Sequence, residues 1–144
     1  FKSLRDKANI KDKGDLTEPK KKKVDYKCMI VENFKGYSES AHITDCIPCL
    51  FLRNDTPTNK IMIYFHGNSE DLGGAYSFLN FIQYRIDAHI IAVEYPGYGV
   101  YKGEATEDSV LNDANRVLEF VIKILKWSVK DVIVLGRSIG TGPA

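Results

Sequence analysis

Five residues, Gly136-Arg137-Ser138-Ile139-Gly140, have the types and the spacing of a turn that exposes one nucleophile. They follow the apolar run 132–135, and a serine set where a strand gives way to a helix is held in a strained backbone conformation. Gly136 and Gly140, two residues before and two after, let the neighbouring backbone pass without a clash. The Ser138 hydroxyl would then stand at the C-terminal edge of a sheet. A helix starting at the serine would turn its positive end and free N–H groups toward a developing oxyanion. The chemistry is attack on an acyl carbonyl through a covalent intermediate. The pattern is short, and a glycine-rich turn serving only packing would also satisfy it. A phosphate-binding loop does not fit, because no Gly-Lys-Ser/Thr closes the segment and no G-x-G-x-x-G follows a first strand.

A second component follows the apolar run Ile61–Phe65, as His66-Gly67-Asn68-Ser69. A His-Gly turn there brings one backbone N–H toward the serine, so the N–H groups of Asn68 and Ile139 are the expected oxyanion hole. His66 reads as a residue that shapes the turn; the rival reading makes it the catalytic base, although in such folds the base comes late in the chain. Tyr95, Tyr98 and Tyr101, among Gly97 and Gly99, fit two roles equally: lining the mouth of the site, or packing under a lid.

Both turns need strands to carry them, and three short runs, Ile61–Phe65, His89–Val93 and residues 132–135, are apolar throughout apart from the opening His89. Such runs mark strands covered on both faces, as in a parallel sheet between helices. Between the first two, Ala75, Leu79, Ile82 and Ile86 fall at helical spacing with Phe78 beside them, behind Glu70 and Asp71 at the helix start. Between the second and third, Val110, Ala114, Val117, Val121 and Ile124 form one stripe, and Thr106 followed by Glu107 and Asp108 caps its N-terminus. Residues 26–31 and 49–52 read as two earlier strands, with a polar turn at Ser38, Glu39 and Ser40 between them. The expected fold class is α/β: a mainly parallel sheet with helices on both faces.

Composition sets the outer limits. The 144 residues carry 20 basic and 19 acidic side chains, and 44% are apolar. No window approaches the roughly 18 to 20 apolar residues of a membrane-spanning helix. Residues 1–27 hold ten of the basic and five of the acidic side chains, so the positive charge belongs to this segment. With few apolar residues, 1–24 reads as a basic arm, solvated or partner-bound, ahead of a domain over 25–144. Its cluster Lys20, Lys21, Lys22 and Lys23 suits an anionic membrane surface or a protein assembly; no aromatic residues interleave with it, so nucleic acid is not an expected partner.

Three cysteines, Cys28, Cys46 and Cys49, point to a reducing, cytoplasmic compartment, at most peripheral to a membrane. Cys46 and Cys49, near His42, are spaced like half of a zinc site, but no second pair completes it, and ordinary buried thiols are the expectation. No metal and no cofactor are expected. Asn54-Asp55-Thr56 matches a glycosylation sequon by pattern only.

Taken together, His66-Gly67-Asn68 with Asp71-Leu72-Gly73, Glu94-Tyr95-Pro96-Gly97-Tyr98-Gly99, and Gly136-Arg137-Ser138-Ile139-Gly140-Thr141-Gly142-Pro143 resemble the serine hydrolases of the α/β-hydrolase superfamily. The likeness spans roughly residues 45–144 and is nearest to the subgroup that includes protein depalmitoylases, with serine aminopeptidase-like proteins beside it. Those depalmitoylases carry an N-terminal cysteine cluster that residues 1–24 lack. The resemblance implies an ester or thioester hydrolase, acting on an S-acylated protein or a lipid ester, with Ser138 as nucleophile, then an Asp and a late His. Neither partner follows Ser138 in residues 139–144, so the sequence reads as the N-terminal half of such a domain with the last strands missing. A hydrolase-fold scaffold within a larger assembly is the alternative expectation.

Overall fold

A computed structural model describes residues 26–32, 46–83 and 85–144. The basic arm with its lysine cluster, the turn at Ser38, Glu39 and Ser40, and His42 lie outside the described residues. Five strands form one sheet: β1 (Tyr26–Glu32), β2 (Cys46–Leu52), β3 (Ile61–Phe65), β4 (His89–Val93) and β5 (Val132–Gly136), in the order β1-β2-β4-β3-β5. The pairs β1/β2 and β2/β4 are antiparallel, whereas β3 pairs in parallel with both β4 and β5. Helix α1 (Leu72–Gln83) joins β3 to β4, and α2 (Glu107–Glu119) lies between β4 and β5. This is the expected α/β order.

Alternation along β3 sorts its side chains to two cores. Ile61, Ile63 and Phe65 join Val117, Phe120 and Val121 on the α2 face, while Met62 and Tyr64 join Ala75 and Leu79 on the α1 face. Every residue of β3 is buried, as a strand covered on both sides requires. The run that forms β5 is equally apolar, yet Ile133, Val134 and Leu135 are 40%, 42% and 36% exposed. Among the described residues β5 pairs with β3 alone, so its composition outruns its cover.

Three local departures have physical causes. Strand β2 begins at Cys46, three residues earlier than the sequence suggests; Pro48 is tolerated because the β2/β4 ladder ends at Cys49↔Val93, and its carbonyl still accepts from Glu94 N–H at 3.0 Å. Ile86 lies past the end of α1 but still packs on the α1-side core. The stripe on α2 loses its phase where Phe120–Ile124 winds as a π-helix, which leaves Val121 buried and Ile124 37% exposed. At the start of α2, the Thr106 side chain accepts from Ser109 N–H and the Ser109 hydroxyl accepts from Thr106 N–H, a reciprocal cap. Cys46 and Cys49 are buried side chains of β2. Among the described residues no His, Cys, Asp or Glu cluster could hold a metal, and no helix is long and apolar enough to cross a membrane.

Candidate active site

The ladder Phe65↔Gly136 ends β3 and β5 side by side, so the turns after them meet at one edge of the sheet. Ser138 has φ 54°, a left-handed conformation that non-glycine residues adopt at a cost. A Cβ on Gly136 would run into the carbonyl of Gly140, and a Cβ on Gly140 into the carbonyl of Phe65. Both flanking glycines are therefore required by close backbone approach, and Ser138 is left exposed on the outside of the bend. Residues Ser138–Thr141 wind as a 3₁₀ turn, and the Thr141 hydroxyl donates to the Ser138 carbonyl at 2.6 Å.

The other turn begins at His66, which is fully buried. Its Nε2 lies 2.9 Å from Glu94 Oε1 and its Nδ1 lies 2.9 Å from the carbonyl of Gly67. Two acceptors facing two ring nitrogens favour the doubly protonated imidazolium. Burial opposes that charge, but the bonds to Glu94 and to the Gly67 carbonyl outweigh it and hold the ring above its ordinary value. Glu94, at the end of β4, also takes the first N–H of α1 from Leu72 onto Oε2 at 3.2 Å. The Tyr95 ring packs 4.1 Å from the His66 ring, and its hydroxyl donates to the His66 carbonyl at 2.9 Å; burial raises that phenol well above its ordinary range.

From this anchored base the chain turns outward. A Cβ on Gly67 would lie 3.7 Å from both the Arg137 carbonyl and Ser138 Cβ, so the backbone next to Asn68 runs beside the nucleophile. Asn68 is exposed, and its side-chain oxygen accepts from the Tyr98 hydroxyl at 2.8 Å. Ser69 has φ 59°, and Asp71 then caps α1 by accepting from Gly74 N–H at 2.8 Å. Gly67, Asn68, Glu70, Tyr98, Arg137 and Ser138 line one cleft of about 770 Å³.

The described histidines do not reach Ser138. His66 is turned to Glu94, and His89 opens β4 opposite Ile61, at the other end of the sheet. The three tyrosines divide: Tyr98 lines the cleft, Tyr95 braces His66, and Tyr101 turns to Asp113 at 2.9 Å. Glu94 and Glu70 are working side chains that the sequence places only within motifs. A lone carboxylate closing an otherwise apolar strand, as Glu94 does, is the trace that buried pairing leaves in a sequence.

A strand order of 1-2-4-3-5 with one antiparallel inner strand, and a serine bend at the end of β5, define the α/β-hydrolase fold. The chain belongs to the α/β-hydrolase superfamily and carries part of that fold. It is 30% identical over 113 residues to alpha/beta hydrolase domain-containing protein 17C of Xenopus tropicalis, covering 78% of this chain and 36% of the relative. It is 26% identical over 136 residues to the human 17B protein of that name, covering 94% of this chain and 44% of the relative. The chain thus spans well under half the length of these curated relatives. Among solved structures, an esterase of Pyrococcus furiosus superposes with a TM-score of 0.63 at 18% identity, over 91% of this chain and 48% of that one. No protein-family model matches the chain.

Proposed function

We propose that the protein is a serine hydrolase that cleaves an ester or thioester through an acyl-enzyme on Ser138. The observation that carries this reading is the exposed Ser138 at φ 54°, at the end of β5, with the Gly67 backbone beside it. In the reaction the Ser138 oxygen bonds to the acyl carbon while its proton passes to a base, the alcohol or thiol leaves with a proton, and water then releases the acid. The N–H groups of Asn68 and Ile139 are proposed to hold the oxyanion. The base and its supporting acid are proposed to come from later in the natural, whole protein than residues 139–144, as the family likeness implies.

The motif likeness supports an S-acylated protein or a lipid ester as substrate. The esterase fold of the structural neighbour is compatible with this and with smaller carboxylic esters. Replacing Ser138 with Ala in the natural, whole protein is expected to abolish hydrolysis while leaving the thermal unfolding midpoint within a few degrees. Undiminished turnover in that variant would remove Ser138 from the chemistry, and absence of any turnover in the parent would favour a scaffold that keeps the fold.

A further inference from the structure

Arg137, just before Ser138, and Glu70, the fourth residue after His66, carry opposite charges that meet. Arg137 Nη1 lies 3.0 Å from Glu70 Oε1. The other oxygen of the same carboxylate, Oε2, accepts from Gly67 N–H at 3.2 Å. Arg137 is also tied through its backbone, its N–H donating to the Phe65 carbonyl at 3.0 Å. The segment 66–70 is therefore bracketed at both ends by one residue of the nucleophile turn. Within the bracket stand exposed Asn68 and strained Ser69 at φ 59°. The Arg137 guanidinium further rests over the Phe78 ring of α1, 5.8 Å from its centroid, which limits where the cation can go.

We propose that Glu70 is a positioning residue: its carboxylate clamps the oxyanion turn to the nucleophile turn through Gly67 N–H and Arg137, and so fixes the spacing between the two oxyanion donors. This rests on the serine hydrolase reading above. Glu70 touches no reacting atom; it acts through Gly67 and Arg137. The Arg137 side chain is 57% exposed and that of Glu70 is 16% exposed, and a pair so placed contributes little to global stability. Its effect is expected where small displacements count. Misplacing a transition-state donor by about 1 Å can cost on the order of 100-fold in rate, and a lost donor costs as much or more.

The test uses the natural, whole protein with p-nitrophenyl butyrate as probe, and Ser138→Ala as control. Glu70→Leu removes both bonds, Glu70→Gln keeps an acceptor for Gly67 but loses the ion pair, and Arg137→Gln, at an exposed position, loses the ion pair. The clamp predicts kcat falling by about tenfold or more in Glu70→Leu, less in Glu70→Gln and Arg137→Gln, with KM within about twofold throughout. Arg137→Lys should retain more of kcat than Arg137→Gln. Amide exchange over residues 66–70 should quicken in the same order, with little change in the unfolding midpoint. Ser138-dependent turnover that is unaltered in Glu70→Leu and Arg137→Gln would overturn the clamp and leave the hydrolase reading standing. A rise in KM at constant kcat would make Glu70 a substrate contact instead, which also overturns it. Absence of Ser138-dependent turnover in the parent would overturn both.

Discussion

His66 Nε2 and Glu94 Oε1 lie 2.9 Å apart in the interior, at 0% and 2% side-chain exposure. The pair joins the end of β3 to the end of β4 and, through Leu72 N–H, to the start of α1. A buried ion pair adds little net stability, because both charges have left water, but it leaves an uncompensated charge if one partner is removed. Its value to this fold is that it holds the base of the Gly67-Asn68 turn in one place.

The protonation state of His66 follows from that pairing. NMR of the imidazole should show it titrating above its ordinary value of 6.5, since each ring nitrogen faces an acceptor. A group raised in the folded state contributes stability that is complete below pH 6.5 and is lost as pH climbs through the raised value. Glu94→Gln removes the foremost cause that raises the ring and leaves burial, so His66 should titrate lower and that loss of stability with rising pH should disappear. His89 acts with the opposite sign: burial first, then Arg53, hold it below its ordinary value, so its contribution weakens as pH falls below 6.5. Comparing parent and Glu94→Gln cancels His89 and isolates His66; a ring that titrates at or below 6.5 in the parent would contradict the pairing.

The bend at Ser138 depends on Gly140 as it does on Gly136. A Cβ on Gly140 meets the Phe65 carbonyl, and backbone cannot yield as a flexible side chain can. Gly140→Ala should therefore destabilise the β3/β5 edge and remove Ser138 reactivity together, read by thermal unfolding and by the rate of fluorophosphonate labelling. A variant that keeps both would show that the bend is looser than its close contacts indicate.

Tyr98 reaches across the cleft to the Asn68 side chain at 2.8 Å. Tyr98→Phe keeps the ring contacts with His66 and Tyr95 and loses only the hydroxyl. A neutral hydrogen bond is worth about 1 kcal/mol, so hydrolysis should fall by roughly fivefold with the fold intact. Equal kcat/KM in the two proteins would free Asn68 from this restraint.

A change far from the cleft gives the complementary result. Thr106→Ala removes the N-cap of α2 and should cost about 1 kcal/mol in denaturant unfolding. Its labelling rate at Ser138 should match the parent under folding conditions. A slowed rate would mean that α2 reaches the site through the sheet.

The frame of this molecule was legible in its sequence because burial on both faces leaves a simple mark. Ile61–Phe65 and His89–Val93, apolar throughout apart from the opening His89, form β3 and β4 with those limits. The bend was legible because Gly136 and Gly140 are demanded by contact with backbone, which no other residue type can satisfy. What stayed hidden are relationships across the fold. Glu94 meets His66 from 28 positions away, and Arg137 meets Glu70 from 67 positions away. Neither pairing leaves a local period. The π-helical winding at Phe120–Ile124 was equally invisible, since the apolar stripe runs through it unbroken.

The most direct measurement is fluorophosphonate labelling of the protein isolated from its source, with peptide mapping of the modified residue and the intact mass recorded alongside. An activated nucleophile predicts stoichiometric label on Ser138 and loss of that label in Ser138→Ala. An intact, folded protein that takes no label at Ser138, while a control hydrolase is fully modified, would contradict the central claim.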